Sequence, residues 1–333
     1  MEKKFDVVGL GNAMVDVLAQ VEDSFIEENS LYKGSMSLIS EERSEKLYEA
    51  MPKGVHKPGG SAANTMVGIS ALGGSVAYIG KISDDPLGKI FDSGMSAAGV
   101  SFGGFGLKDL PTARCLIQVT PDAQRTLNTY LGISAFLSPE DVNEKIVASG
   151  EILYCEGYLW DTRESKEAIR KAMNISKTAG KTVALSLSDI FCVERHRNDW
   201  LSLLDDFVDL VFCNEEELKA LYQTDDLTYA AEKISKGTKA SFVTLGAKGS
   251  LVVNGEQRTK IDPIAVTRVV DTTGAGDIYA SGVLFGLTQN LPLETSAQIG
   301  SILASEVIQD LGPRLTIDPQ ELVKDFFDHT IAQ

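Results

Sequence analysis

Apolar and polar positions divide the chain into two kinds of stretch that alternate. Near-continuous apolar runs read as buried strands: "FDVVGLG" (5–11), "SVAYIGKI" (75–82), "ILYCEGYLW" (152–160), "KTVALSLS" (181–188), "DLVFCN" (209–214), "ASFVTLG" (240–246) and "GSLVV" (249–253). Between them lie stretches of helical period, such as "AANTMVGISALGG", "ESKEAIRKAMNISKTAG" and "EEELKALY". Strands without period-2 alternation, spaced by amphipathic helices, predict a mainly parallel sheet covered on both faces. From Leu291 onward the period is helical. A β-branched run, "AVTRVV" (265–270), predicts one more strand before the small-residue turn "DTTGAGD" and the apolar helix "YASGVLFGL".

Two segments break this rhythm. Residues 17–40 carry "VLAQV" and "GSMSLIS" with no helix expected between them. Residues 101–131 carry "SFGGFGL", "TARCLIQVT" and "TLNTYLG". Both read as short antiparallel strands inserted into the α/β pattern, able to pair as a small second sheet.

Composition narrows the partners more than the fold. The 333 residues carry a net charge of −16, which disfavours nucleic acid and anionic membrane surfaces. No apolar run is long enough to span a bilayer, and the N-terminus lacks the apolar core of a signal peptide. Four cysteines, Cys115, Cys155, Cys192 and Cys213, sit in or beside apolar runs without a CxxC pair. Buried reduced thiols in a cytoplasmic protein are expected. Three scattered histidines offer little to a metal site or a hydrolytic triad.

Four stretches carry candidate chemistry. In "DTTGAGD", Gly274, Ala275 and Gly276 open a helix without bulky side chains, and main-chain N–H groups at a helix N-terminus favour anions. Asp277 falls in the first turn, where the helix dipole favours its ionised form, so a proton acceptor stands beside an anion cradle. A Thr273 N-cap with glycines for packing explains the same residues equally well. In "GLGNAMVD", Met14 stands where a dinucleotide fingerprint needs its third glycine, while Asn12 and Asp16 follow a strand and suit sugar hydroxyls. In "KPGGSAANTMVG", Gly60 allows close backbone approach and Asn64 lies in the next helical turn. In "FCNEEELKAL", Asn214 and Glu217 read either as a helix cap with an acidic first turn or as supports for hydrated Mg²⁺.

In this order, the four stretches resemble the PfkB, or ribokinase-like, family of sugar and nucleoside kinases. "GGSAAN", "ALGG" and "GKISDDPLG" are similar to its N-terminal signature, "DTTGAGDIYASGVL" to its C-terminal signature, and "NEEE" to its NxxE element. "VTLGAKGS" resembles the turn that borders the nucleotide. The resemblance runs from about residue 5 to 325 and implies one ribokinase-like α/β/α domain over 1–333, with segments 17–40 and 101–131 forming a β lid. It implies transfer of the γ-phosphoryl group of ATP, with Mg²⁺, to a hydroxyl. Asp277 would be the base, and Gly274, Ala275 and Gly276 the anion hole. Asn12, Asp16, Gly60, Ser61, Asn64 and Tyr158 would bind the acceptor. Asn214, Thr244, Gly246 and Gly249 would border the nucleotide, and Glu217 would hold Mg²⁺ through water. A need for a monovalent cation such as K⁺ near Asp271 stays open at this point, as does the choice between a lid-mediated homodimer, as in some relatives, and a monomer.

Ser61 stands where ribokinases carry a lysine, so "GGSAANTM" and "GLGNAMVDVLAQV" are more similar to the adenosine kinase branch. A nucleoside base needs a flat apolar slot, and Tyr158, Trp160, Phe191 and Met36 are candidates to line it. Arg125 and Asn128 are expected near the lid, with Arg125 able to steady a triphosphate. A sugar kinase acting on ribose, fructose or 2-keto-3-deoxygluconate is the second reading, and a non-catalytic nucleoside-binding regulator the third.

Overall fold

The computed structural model describes residues 4–104, 110–122 and 124–330. In chain order its strands are β1 (Phe5–Leu10), β2 (Met14–Gln20), β3 (Met36–Leu38), β4 (Val55–Gly59), β5 (Val76–Ile79), β6 (Ser101–Phe102), β7 (Ala113–Val119), β8 (Arg125–Tyr130), β9 (Gly150–Glu156), β10 (Thr182–Ser186), β11 (Leu210–Asn214), β12 (Ala240–Thr244), β13 (Ser250–Asn254) and β14 (Gln257–Ile261). Nine form one sheet in the order β14-β13-β12-β11-β10-β9-β1-β5-β6. Its ladders run parallel from β6 to β12, and β13 and β14 close one edge antiparallel. Successive residues of β1 serve opposite faces: Val7 joins the core under one helical layer, Val8 and Leu10 the core under the other. This is the expected α/β architecture, a mostly parallel sheet between helices.

The second sheet has the order β3-β8-β7-β2-β4. It draws on the two irregular segments, but with differences: the two ladders that join the segments, β2–β7 and β3–β8, run parallel, so the sheet is mixed where antiparallel strands were expected. A short helix, Asp23–Glu28, separates β2 from β3, where no helix was expected. β6 leaves the "SFGGFGL" segment for the main sheet, pairing with β5, and residues 105–107 of that segment lie outside the described residues. β4 joins unannounced: "VHKPG" contains a proline, which a strand tolerates at a sheet edge, and β4 pairs with β2 alone.

The run "AVTRVV" forms no strand. Residues 262–272 have no regular structure, and Val269 and Val270 are exposed, because the sheet already ends at β14 and offers no further ladder. Val270 and Asp271 instead donate their backbone N–H groups to the Ile308 carbonyl, which brings the small-residue turn against the end of the helix Leu293–Val307. The next helix, Ala275–Thr288, is buried continuously from Ile278 to Gly286. A Cβ on Gly282 would come within 2.7 Å of the Gly300 backbone, so glycine here permits close helix packing. All four cysteines are buried and free. Among the described residues no helix is long and apolar enough to cross a membrane.

Candidate functional site

One cavity of about 680 Å³ opens between the two sheets. Its floor is built at the carboxyl ends of the parallel strands, where open α/β sheets bind ligands. Asn12 follows β1, Glu156 ends β9, Ser186 ends β10, Asn214 ends β11 and Thr244 ends β12, and all face the cavity. Among the residues expected to form the site, Ala275, Gly246, Gly249 and the slot candidate Trp160 lie off its lining. Gly246 and Gly249 flank the short 3₁₀ turn just beyond Thr244, both with positive φ.

At the floor's centre the backbone turns into the helix Ala275–Thr288. Gly274, rather than Thr273, is the N-cap, and its left-handed φ of 76° suits a residue without a side chain. A Cβ there would also meet Pro313 at 2.5 Å. The Ala275 N–H bonds the Thr272 carbonyl at 3.2 Å. The Gly274 and Gly276 N–H groups find no acceptor among the described residues, and a Cβ on Gly276 would meet nothing within 4 Å. The turn therefore offers free amides and open space at a helix N-terminus, an arrangement that fits a phosphoryl group.

Asp277 is held by two donors from the helix Ser61–Ala71. The Ser61 hydroxyl donates to one carboxylate oxygen at 2.6 Å and the Asn64 amide to the other at 3.1 Å. The dipole and these bonds favour the ionised form, yet burial outweighs them and pushes the carboxyl up to about 7. Burial thus opposes the helix dipole's preference for the ionised form of Asp277. Gly60, with φ of 96°, lets the chain pass directly over the Asn12 carbonyl before this helix begins.

Asp16, on β2, is 8% exposed and faces the cavity, and its carboxylate has no hydrogen-bond partner among the described residues. Burial raises it to about 6, against the opposing charges of Arg314 and Arg125. Asn12 is fixed from behind by Glu156, which accepts from its backbone N–H at 2.6 Å and its amide at 2.9 Å, and from the Ala62 N–H at 2.8 Å. Glu156 was missed from the sequence. The signal was a carboxylate closing an otherwise apolar strand, "ILYCE", a position charged residues avoid unless bonded. Arg314 was also missed: its guanidinium Nε donates to the Asn64 amide oxygen at 3.0 Å.

The opposite wall comes from the second sheet and, Asp16 and Thr129 apart, is mainly apolar. Met14, Met36, Leu38, Ile117, Leu127 and, just past β8, Leu131 line it. Tyr158 and Phe191 extend it, with the Tyr158 hydroxyl donating to the Ser188 carbonyl at 3.2 Å. Trp160 does not: it is fully buried on the other face of the main sheet, packed on Trp200 at 5.2 Å, with its indole N–H bonded to Asp199. Arg125 reaches from β8 to pair with Asp271 at 2.7 Å, beside the small-residue turn, so Asp271 already has a cationic partner. Asn128 bonds Gln118 inside the second sheet and is buried there.

Asn214 and Glu217 bond each other as a helix capping box. The Glu217 N–H donates to the Asn214 side-chain oxygen at 2.8 Å, and the Asn214 N–H to Glu217 at 3.1 Å. Both line the cavity, and burial raises Glu217 to about 7. Among the described residues no group of three potential metal ligands converges. This donor set suits a hydrated ion held mainly by phosphates and does not suit a dry protein cage.

Comparison with known proteins agrees with this geometry. The model of the pfkB family carbohydrate kinases matches residues 34–320. The structure of an adenosine kinase from Sinorhizobium meliloti superposes with a TM-score of 0.90 at 44% identity, covering 97% of this chain and 100% of the other. A probable sugar kinase from Rhizobium etli superposes at 0.91 with 41% identity, covering 97% and 99%. The adenosine kinase of Saccharomyces cerevisiae is 28% identical over 329 residues, 92% of this chain and 96% of the relative. The protein is a phosphotransferase with an alcohol acceptor, and it belongs to the pfkB family of carbohydrate kinases.

Proposed function

We propose that this kinase transfers the γ-phosphoryl group of ATP to the 5′-hydroxyl of adenosine, giving AMP and ADP. The observation that carries the reading is that Asp16, a buried carboxylate without a protein partner, stands on the second sheet beside the apolar side chains that line the same cavity. A ribose offers two hydroxyls to such a carboxylate, and a purine fills an apolar slot that a free sugar leaves empty. The similarity to the S. meliloti adenosine kinase supports the same acceptor. The R. etli relative, described as a probable sugar kinase, supports a sugar acceptor as the second reading.

Asp277 accepts the proton of the attacking hydroxyl as its oxygen bonds the γ-phosphorus and the bond to the bridging oxygen of ADP breaks. The Gly274 and Gly276 amides face the charge that builds on the transferred group. Asp16, Asn12, Gly60, Ser61, Asn64 and Tyr158 hold the acceptor, and Asn214, Thr244, Gly246 and Gly249 border the nucleotide. Glu217 would hold Mg²⁺ through water, and the ion would supply charge neutralisation at the phosphates. The reduced thiols suit a cytoplasmic enzyme. The test is product formation across an acceptor panel: AMP from adenosine supports the reading, and phosphorylation of free sugars alone overturns it.

A further inference from the structure

Arg314 lies in the link between the helices Leu293–Val307 and Pro319–Thr330, two residues after Gly312, whose N–H donates to Asp271 at 2.8 Å. It is partly buried, it makes no ion pair within 4 Å among the described residues, and one of its terminal nitrogens, Nη2, is sealed from solvent without a hydrogen-bond partner. A cation placed this way costs stability and pairs with nothing directly. Its compensation is indirect: the carboxylates of Asp16 and Asp277 both act on it.

The contact it does make settles an ambiguity. An asparagine amide presents a donor on one side and an acceptor on the other, and only its partners decide which is which. A guanidinium only donates, so Arg314 Nε fixes the Asn64 oxygen towards itself at 3.0 Å. The Asn64 NH₂ group is thereby turned to Asp277, to which it donates at 3.1 Å. We propose that Arg314 is a positioning residue: through Asn64 and its charge it keeps Asp277 able to accept a proton. This rests on the kinase reading above. Without Arg314 the amide is free to flip, and its oxygen would then face Asp277 and stabilise the protonated acid. Loss of the positive charge acts in the same direction.

Every charged or titratable group acting on Asp277 enters the balance. Ser61 and Asn64 face it from one helix, Asp16 from β2, Glu156 and Tyr154 from β9, Tyr78 from β5, Tyr158 from the turn after β9, and Arg314 from the link. Among these Arg314 is the single cation, which is why its removal has a defined sign.

The experiment is a titration of the Asp277 carboxyl in the unliganded protein by isotope-edited infrared spectroscopy, beside pH profiles of kcat/KM with adenosine. Arg314→Met removes charge and donor, Arg314→Gln keeps a donor, and Arg314→Lys keeps both. The Asp277 midpoint is expected to rise by about one pH unit in Arg314→Met, by less in Arg314→Gln, and little in Arg314→Lys. The acidic limb of kcat/KM should move with it, lowering activity at pH 7 about fivefold, while the acceptor KM well above the midpoint stays within about threefold of wild type. If Arg314→Met does not fold, Arg314→Gln carries the comparison. An unchanged midpoint in the neutral variants, or equal shifts in Arg314→Lys and Arg314→Met, overturns the proposal. The titration needs no acceptor, so a wild-type protein that phosphorylates none overturns the kinase reading while the titration still decides the role of Arg314.

Discussion

The two walls of the cavity are built on opposite principles. The floor is polar and held in place: Asn12 and the Ala62 N–H are tied to Glu156, and Ser61 and Asn64 are tied to Asp277, at the ends of buried strands and helices. The wall from the second sheet is apolar and loosely held, with Met36 and Leu38 on the short edge strand β3 and 41% and 50% exposed. Rigid polar groups suit a reaction whose barrier depends on fixed charges, and an adaptable apolar surface suits recognition of a flat base. In the proposed function, the floor carries the chemistry and the second sheet the choice of acceptor.

The largest effect should come from removing the proton acceptor. Asp277→Asn is expected to lower kcat by about 10²–10⁴-fold with acceptor KM nearly unchanged, in steady-state kinetics. A normal kcat would move the chemistry away from the floor. Gly276→Val tests the same wall without touching a titratable group. Its new side chain points into open space, so the fold should hold, with the melting temperature within a few degrees, while turnover is lost. Full turnover in a folded Gly276→Val protein contradicts the anion cradle.

Asp16→Ala sharpens the boundary between the walls. Two hydrogen bonds to a charged group are lost, so the acceptor KM should rise about 10–100-fold while the KM for ATP barely moves. Burial costs Asp16 more than the nearby charges of Arg314 and Arg125 return, so thermal stability should not fall. Equal rises in both KM values would take Asp16 out of the acceptor site. The lid itself is tested by Leu38→Asn, on a partly exposed position that the core does not need. Adenosine KM should rise about tenfold for the lost apolar contact, and KM for ATP should stay constant. No change would leave the base without its slot.

The smallest effects concern pH. Activity should climb with pH through about 7 as Asp277 ionises. Stability should move the other way. Asp16, Glu156, Glu217 and Asp277 all have raised carboxyls, so between about pH 4.5 and 7 the folded chain holds protons that the unfolded chain releases. Stability is therefore highest at the acid end of that window and falls as pH rises through it. Melting temperatures across the window check this, and Asp277→Asn should flatten part of the slope.

Most of the floor, Glu156 excepted, was legible in the sequence because its chemistry is local. Small residues before an apolar helix, or an Asn-x-x-Glu box after a strand, carry their geometry with them. The lid was legible only in part. Its edge strand β4 hides behind Pro58, and its β3 needs partners from 90 residues away before "GSMSLIS" becomes a strand. Trp160 was misplaced because a residue past a strand end has no fixed face; burial beside Trp200 decided it. The β-branched run at 265–270 had strand propensity and no strand to pair with. Arg314 gave no signal at all, since a single arginine in a loop acquires its meaning only by lying beside Asn64, 250 residues earlier.

The central claim, a nucleoside chosen by the lid and phosphorylated on the floor, is tested most directly by following product from ATP and Mg²⁺ with adenosine, inosine, guanosine, ribose, fructose and 2-keto-3-deoxygluconate in parallel. The account predicts AMP from adenosine at a KM towards the micromolar end of the usual range, with little turnover of free sugars. Turnover of a free sugar, with adenosine inert, would contradict it.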